Sequence, residues 1–186
     1  MENSEETLVV INIDLKKVAW ESIGLTVGLS IIGILLFPWL SNVTELTFSF
    51  WNFFWFFIGY VILIVLHECF HLVGFWVFGK APWSSMDYGV NLQMGVAYAT
   101  TTIPLQNGAM KKALLLPFWV TGVLPMIMGF WMGSLLLVLL GAWLIGGAAG
   151  DFAMYKELRK YPNDLLIKDD PVKPRLYVLK KIHKDL

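Results

Sequence analysis

Residues 48–78 read FSFWNFFWFFIGYVILIVLHECFHLVGFWVF. At about 1.5 Å per residue, a helix of this length exceeds the roughly 30 Å hydrocarbon core of a bilayer. It should therefore tilt or project beyond the membrane. The whole chain agrees with this reading. Of its 186 residues, 57% are hydrophobic and 15% charged, a balance far from that of a soluble domain. Nine tryptophans and thirteen phenylalanines suit membrane interfaces and lipid-facing surfaces. The formal net charge is zero, which argues against a nucleic-acid partner.

Three further apolar runs appear, at about 18–40 (expected to be broken late by Pro38), 113–132 and 134–155. Pro117 and Pro125 should bend the third run. Gly133-Ser134 is the break between the last two, which predicts a tight helical hairpin. Lys16, Lys17, Lys80, Lys111, Lys112, Lys156, Arg159 and Lys160 flank alternate ends of the four spans. That alternation predicts that both termini and the 80–112 segment are cytoplasmic. The expected organisation is a cytoplasmic segment at 1–17, a transmembrane core at 18–155 and a cytoplasmic tail at 156–186. The tail should begin as helix and contain a short strand at 176–179.

Between the second and third spans, residues 88–98 alternate as a strand does. Tyr88, Val90, Leu92, Met94, Val96 and Tyr98 fall on one face of a continuous strand. Gly89 and Gly95 permit a bend or hairpin. The fold class expected is an all-α membrane protein of about four transmembrane helices, with a short membrane-associated hairpin or strand at about 86–104. The single cysteine, Cys69, is expected to be reduced and buried.

Within the second run, His67-Glu68-Cys69-Phe70-His71 fits H-E-x-x-H. On a helix, positions i and i+4 share a face, so both imidazoles can meet one tetrahedral zinc. The adjacent glutamate can act as general base on a water held there. The chain has three histidines and seven glutamates, so chance would produce the motif in roughly two of a thousand such chains. Charge at mid-membrane depth is costly, and such residues serve a purpose.

A catalytic zinc usually has three protein ligands and an open position. His183 lies in the charged tail. Within the second to fourth spans the only carboxylates are Glu68 and Asp151. His71 lies nine residues before Lys80 and Asp151 eight before Arg159, which puts both roughly 12–14 Å from a flanking cation. The run Gly146-Gly147-Ala148-Ala149-Gly150 before Asp151 allows close helix approach. Asp151 is therefore the expected third ligand, the alternative being a cap or ion pair at a helix end. Asn91, Gln93 and Asn107 are candidate polar contacts to an oxyanion, with nothing to select among them.

An H-E-x-x-H in one membrane helix, with an aspartate two spans later, resembles the site-2 protease class of intramembrane zinc metalloproteases. From about the second span through Gly150-Asp151 to Tyr161-Pro162, the chain is more similar to a bacterial family of small zincin-type membrane peptidases. The resemblance implies one Zn2+ per chain and residence in a bacterial cytoplasmic membrane. It also implies hydrolysis of transmembrane or membrane-associated peptides, and a β-region beside the active site that can pair with an unwound substrate. Site-2 proteases place their aspartate before glycine; here Gly150 precedes it and Phe152 follows. A different class of function remains open: a zinc-binding membrane protein without proteolysis, as a metal carrier, sensor or inactive scaffold. Against a carrier, the polar residues concentrate at one depth instead of lining a path.

Overall fold

A computed structural model of the chain describes residues 5–41, 43, 49–91, 96–170 and 173–181. Among the described residues, three helices are long and apolar enough to cross a membrane: Leu15–Ser41, Phe50–Gly79 and Asn107–Met132. A fourth arises if Leu135–Gly147 and Ala149–Leu158, bent by 43° at their junction, count as one span. The fold is mostly helical with small antiparallel sheets, and its long apolar helices are those of a chain suited to a membrane. It divides into two compact units, Lys16–His67 with Pro117–Gly150, and Met1–Leu15 with Glu68–Leu116 and Asp151–Leu186.

The first unit is helical. It contains nearly all of α1 (Leu15–Ser41), the greater part of α2 (Phe50–Gly79), α4 (Leu124–Met132) and α5 (Leu135–Gly147). Pro38 does not end α1, which continues to Ser41. A proline this near a helix end forfeits a single backbone bond, and Ser41 Oγ closes the last turn by donating to Phe37 O at 2.5 Å. The hairpin at 133–134 is present. Gly133 adopts φ +67°, open to glycine at little cost. Ser134 then caps α5, accepting from Leu137 N at 3.4 Å. Between α3 (Asn107–Pro117) and α4, residues Phe118–Val123 form a π-helical turn. The wider spacing is explicit at Leu124, whose N–H donates to Trp119 O, five residues back. Between the two prolines expected to bend the span, the structure thus has a π-turn, a feature frequent at functional sites.

The second unit is built on a four-stranded antiparallel sheet, order β1-β6-β5-β4, from β1 (Glu5–Asn12), β4 (Leu105–Gln106), β5 (Leu166–Asp169) and β6 (Arg175–Lys181). Register puts Val178, Ile167 and Leu105 in one row across three strands, and all three are buried. They join Leu72 and Phe75 of α2, Met110 and Leu114 of α3 and Leu158 of α6 (Ala149–Leu158) in one apolar core. The expected strand at 176–179 is the middle of β6.

A separate hairpin pairs β2 (Met86–Asn91) with β3 (Val96–Thr101). A continuous strand would put Tyr88 and Tyr98 on one face. In the hairpin Tyr88 pairs with Ala99 and Tyr98 with Gly89. Paired residues share a face, so the reversal moves Tyr98 to the side opposite Tyr88. Thr100 of β3 ties the hairpin to β5, its hydroxyl donating to Asp169 Oδ2 at 2.9 Å. Cys69 is exposed, not buried as expected. Two residues beyond His67, it is turned by about 200° around the helix, away from the histidine face.

Candidate metal centre

Each histidine of the motif is fixed through the ring nitrogen nearer the backbone. His71 is 6% exposed, and its Nδ1 lies 3.2 Å from Ala113 O. A carbonyl only accepts, so Nδ1 carries the proton, and in the neutral ring Nε2 keeps its lone pair. Gly74 makes this contact possible. A Cβ there would lie 2.7 Å from Ala113 Cα, so only glycine lets α2 and α3 approach closely enough.

His67 is 8% exposed and reaches the same state by another route. Its Nδ1 lies 3.2 Å from Thr121 Oγ1, and that hydroxyl donates to Pro117 O at 2.8 Å. With its proton committed to the carbonyl, Thr121 can only accept from His67. Nδ1 again holds the proton and Nε2 is left as the donor atom. Partners of this kind, one bond removed from the metal, orient ligands in zinc sites. Thr121 belongs to the π-turn, which gives that turn a role.

His67, Glu68 and His71 offer ligand atoms that all lie within 4.8 Å of one another. Asp151, in the first turn of α6, places Oδ1 3.3 Å from His71 Nε2. Bonds of about 2.0–2.1 Å arranged tetrahedrally put ligand atoms roughly 3.3–3.5 Å apart, so this pair has the spacing of two ligands on one ion. It is also the spacing of an ion pair. A first-turn carboxylate is favoured by the helix dipole in either role. The two imidazoles and the Glu68 carboxylate make a cluster of ligand atoms whose chemistry fits zinc; Asp151 reaches His71 but is not part of that cluster.

The other candidates fare differently. Asn107 is fully buried, and its amide nitrogen lies 3.0 Å from Leu158 O and 2.9 Å from both Tyr161 O and Pro162 O. Its two N–H groups are thus occupied in holding the C-terminal end of α6, and none is left for an oxyanion. Asn91 ends β2, opposite Val96. Gln93 and His183 lie outside the described residues.

Sequence reasoning passed over two residues. Thr121 carried a signal, a lone hydroxyl inside an apolar run between two prolines. Asp169 carried none in its tail segment. Burial pushes its carboxyl up to about 6, against the hydrogen bonds from the Thr100 hydroxyl and the Asp170 backbone N–H, both of which pull it down.

The family described as "Putative zincin peptidase" matches residues 60–166, more than half of the chain. The chain belongs to this family. Its match takes in His67, Glu68, His71, Thr121 and Asp151. No curated protein and no solved structure matches. Family membership and the histidine–glutamate cluster together point to a zinc-dependent peptidase with zinc as its cofactor.

Proposed function

We propose that the chain is an intramembrane zinc metalloprotease resembling site-2 proteases, with one zinc per chain held by His67, His71 and Asp151. The observation that carries the reading is the pair of locked histidines in α2. Both commit Nδ1 to a hydrogen bond, which leaves Nε2 for a metal, and a ligand atom of each lies within 4.8 Å of Glu68 in an otherwise apolar span. When bound, zinc supplies Lewis-acid activation of a water and of the scissile carbonyl. Glu68 takes a proton from the attacking water and returns it to the leaving amine nitrogen. Thr121 and Ala113 hold the two imidazoles in the ligating tautomer throughout. Asp151 adds negative charge that offsets the cation and leaves one position open.

The substrate on this reading is a transmembrane or membrane-associated peptide, unwound locally before cleavage. An outer edge of the β2–β3 hairpin offers it backbone hydrogen bonds. The alternation of flanking lysines and arginines supports cytoplasmic termini, and the bacterial family likeness supports a bacterial cytoplasmic membrane.

The test is zinc content and cleavage of a transmembrane reporter by protein reconstituted in lipid. Wild type should hold about one zinc per chain and cleave. Glu68→Gln should keep the zinc and lose cleavage, and His67→Ala should lose both. Zinc without cleavage in the wild type would favour a non-proteolytic carrier or sensor. A wild type that binds no zinc would end the reading.

A further inference from the structure

We propose that a groove formed by the C-terminal end of α2, by α3 and by α6 binds the phosphate of an anionic phospholipid headgroup. The groove has a volume of about 800 Å3, within the usual range of small-ligand sites. Val77 and Phe78 form its apolar wall; Lys111, Lys112 and Arg159 bring charge to it, and Gln106, Tyr155 and Asn163 add neutral polar groups. Three cations and no carboxylate line it. Among the described residues, none of the three has a carboxylate within ion-pair distance, whereas neighbouring Lys160 is paired with Glu157 at 2.6 Å. Like charges held together without a counter-ion repel one another, and an anion relieves that repulsion. Lys112 already sits 5.9 Å above the Phe78 ring, its ammonium held at the junction of the apolar wall and the polar floor.

The attraction comes from side chains. The N–H groups of Asn107 and Gly108, which open α3, donate to Leu165 O and Asn163 O and take no part. The depth of the groove points to lipid. Trp76 and Trp83 pair at 5.8 Å between ring centroids and are 51% and 55% exposed. Exposed indoles at the end of a membrane-crossing helix mark headgroup level. Phe78 lies two residues from Trp76 on α2, so an acyl chain can follow α2 while its phosphate meets the lysines and the arginine.

The experiment measures binding of a fluorescent phosphatidylglycerol to the purified full chain in nonionic detergent micelles. The probe should bind saturably, and a phosphatidylcholine probe should not. Lys111→Gln, Lys112→Gln and Arg159→Gln should each lower affinity about fivefold, and the triple variant roughly a hundredfold. Lys112→Arg should retain binding. Lys16→Gln/Lys17→Gln removes two flanking charges elsewhere and should leave affinity unchanged. Equal loss in that control, or full binding by the triple variant, would reduce the effect to bulk charge and overturn the site. Displacement of the probe by inorganic phosphate alone would replace the lipid with a free phosphate. Displacement by an acidic peptide would make the groove a peptide site. The readout involves no turnover, so the lipid site and the peptidase reading stand or fall separately.

Discussion

His67 Nδ1 lies 3.2 Å from Thr121 Oγ1, across 54 residues of sequence, and the hydroxyl's own proton is spent on Pro117 O. Thr121→Val keeps the shape and removes the acceptor. Zinc affinity should fall about 10- to 100-fold, the usual cost of losing such an orienting partner. Thr121→Ser should restore most of it. Chelator competition on folded protein reads both. Wild-type affinity in Thr121→Val would mean that the hydroxyl does not set the tautomer.

Asp151 either ligates zinc or pairs with His71, and removing it separates the two roles. As a ligand, Asp151→Ala loses most of the zinc and all cleavage, and Asp151→Asn retains some metal with very low activity. As an ion pair, Asp151→Ala melts at a lower temperature yet keeps its zinc. The measurement is metal content and reporter cleavage, on protein whose helicity matches wild type. Full zinc with cleavage intact would exclude Asp151 as a ligand.

Gly74→Ala places a methyl where Ala113 Cα already lies 2.7 Å away. Backbone cannot yield as a side-chain tip can, so the crossing of α2 and α3 must widen. Destabilisation of about 1–3 kcal/mol is expected, with weaker zinc binding because His71 loses Ala113 O. Gly24→Ala meets nothing within 4 Å and should leave both unchanged. Thermal melts and zinc titrations of the two variants, side by side, test the contrast.

Asp169 predicts a pH dependence of folding. Its folded carboxyl sits at about 6, against 3.8 ordinarily, so the folded state favours the protonated form. The stabilisation is complete below about pH 4 and is lost as pH rises through 6. The amount is about 3 kcal/mol at most, from a difference of about two units. Asp169→Asn imitates the protonated carboxyl and can still accept from Thr100. It should match wild type near pH 4 and exceed it at pH 7.5. Parallel melting curves for the two proteins across that range would refute the assignment.

The spans and the two histidines were legible because each signal is local: a long apolar run, and a four-residue repeat on one helix. The depth match of His71 and Asp151 was also readable, since it follows from counting residues to flanking cations. What could not be read depends on pairing between distant segments. Glu5–Asn12 presents an acidic start and a short apolar stretch, and becomes β1 only because Arg175–Lys181 lies beside it. The faces of 88–98 were misread because alternation alone cannot show where a strand reverses. Asn107 looked like a free amide beside the site. Its partners are carbonyls more than 50 residues away, which no local pattern announces.

The β1–β6 ladder also fixes an order of events in biogenesis. β1 pairs from Glu5 with Lys181 to Asn12 with Arg175, so β1 has to wait for its partner until residues 175–181 have left the ribosome. By then the helices from α1 to α6 have all been made. The sheet that supports α3 and α6 closes last, and with it the packing around His71 and Asp151. A chain made only as far as α2 already carries both histidines but lacks this support, so assembly of the centre awaits the synthesis of β6.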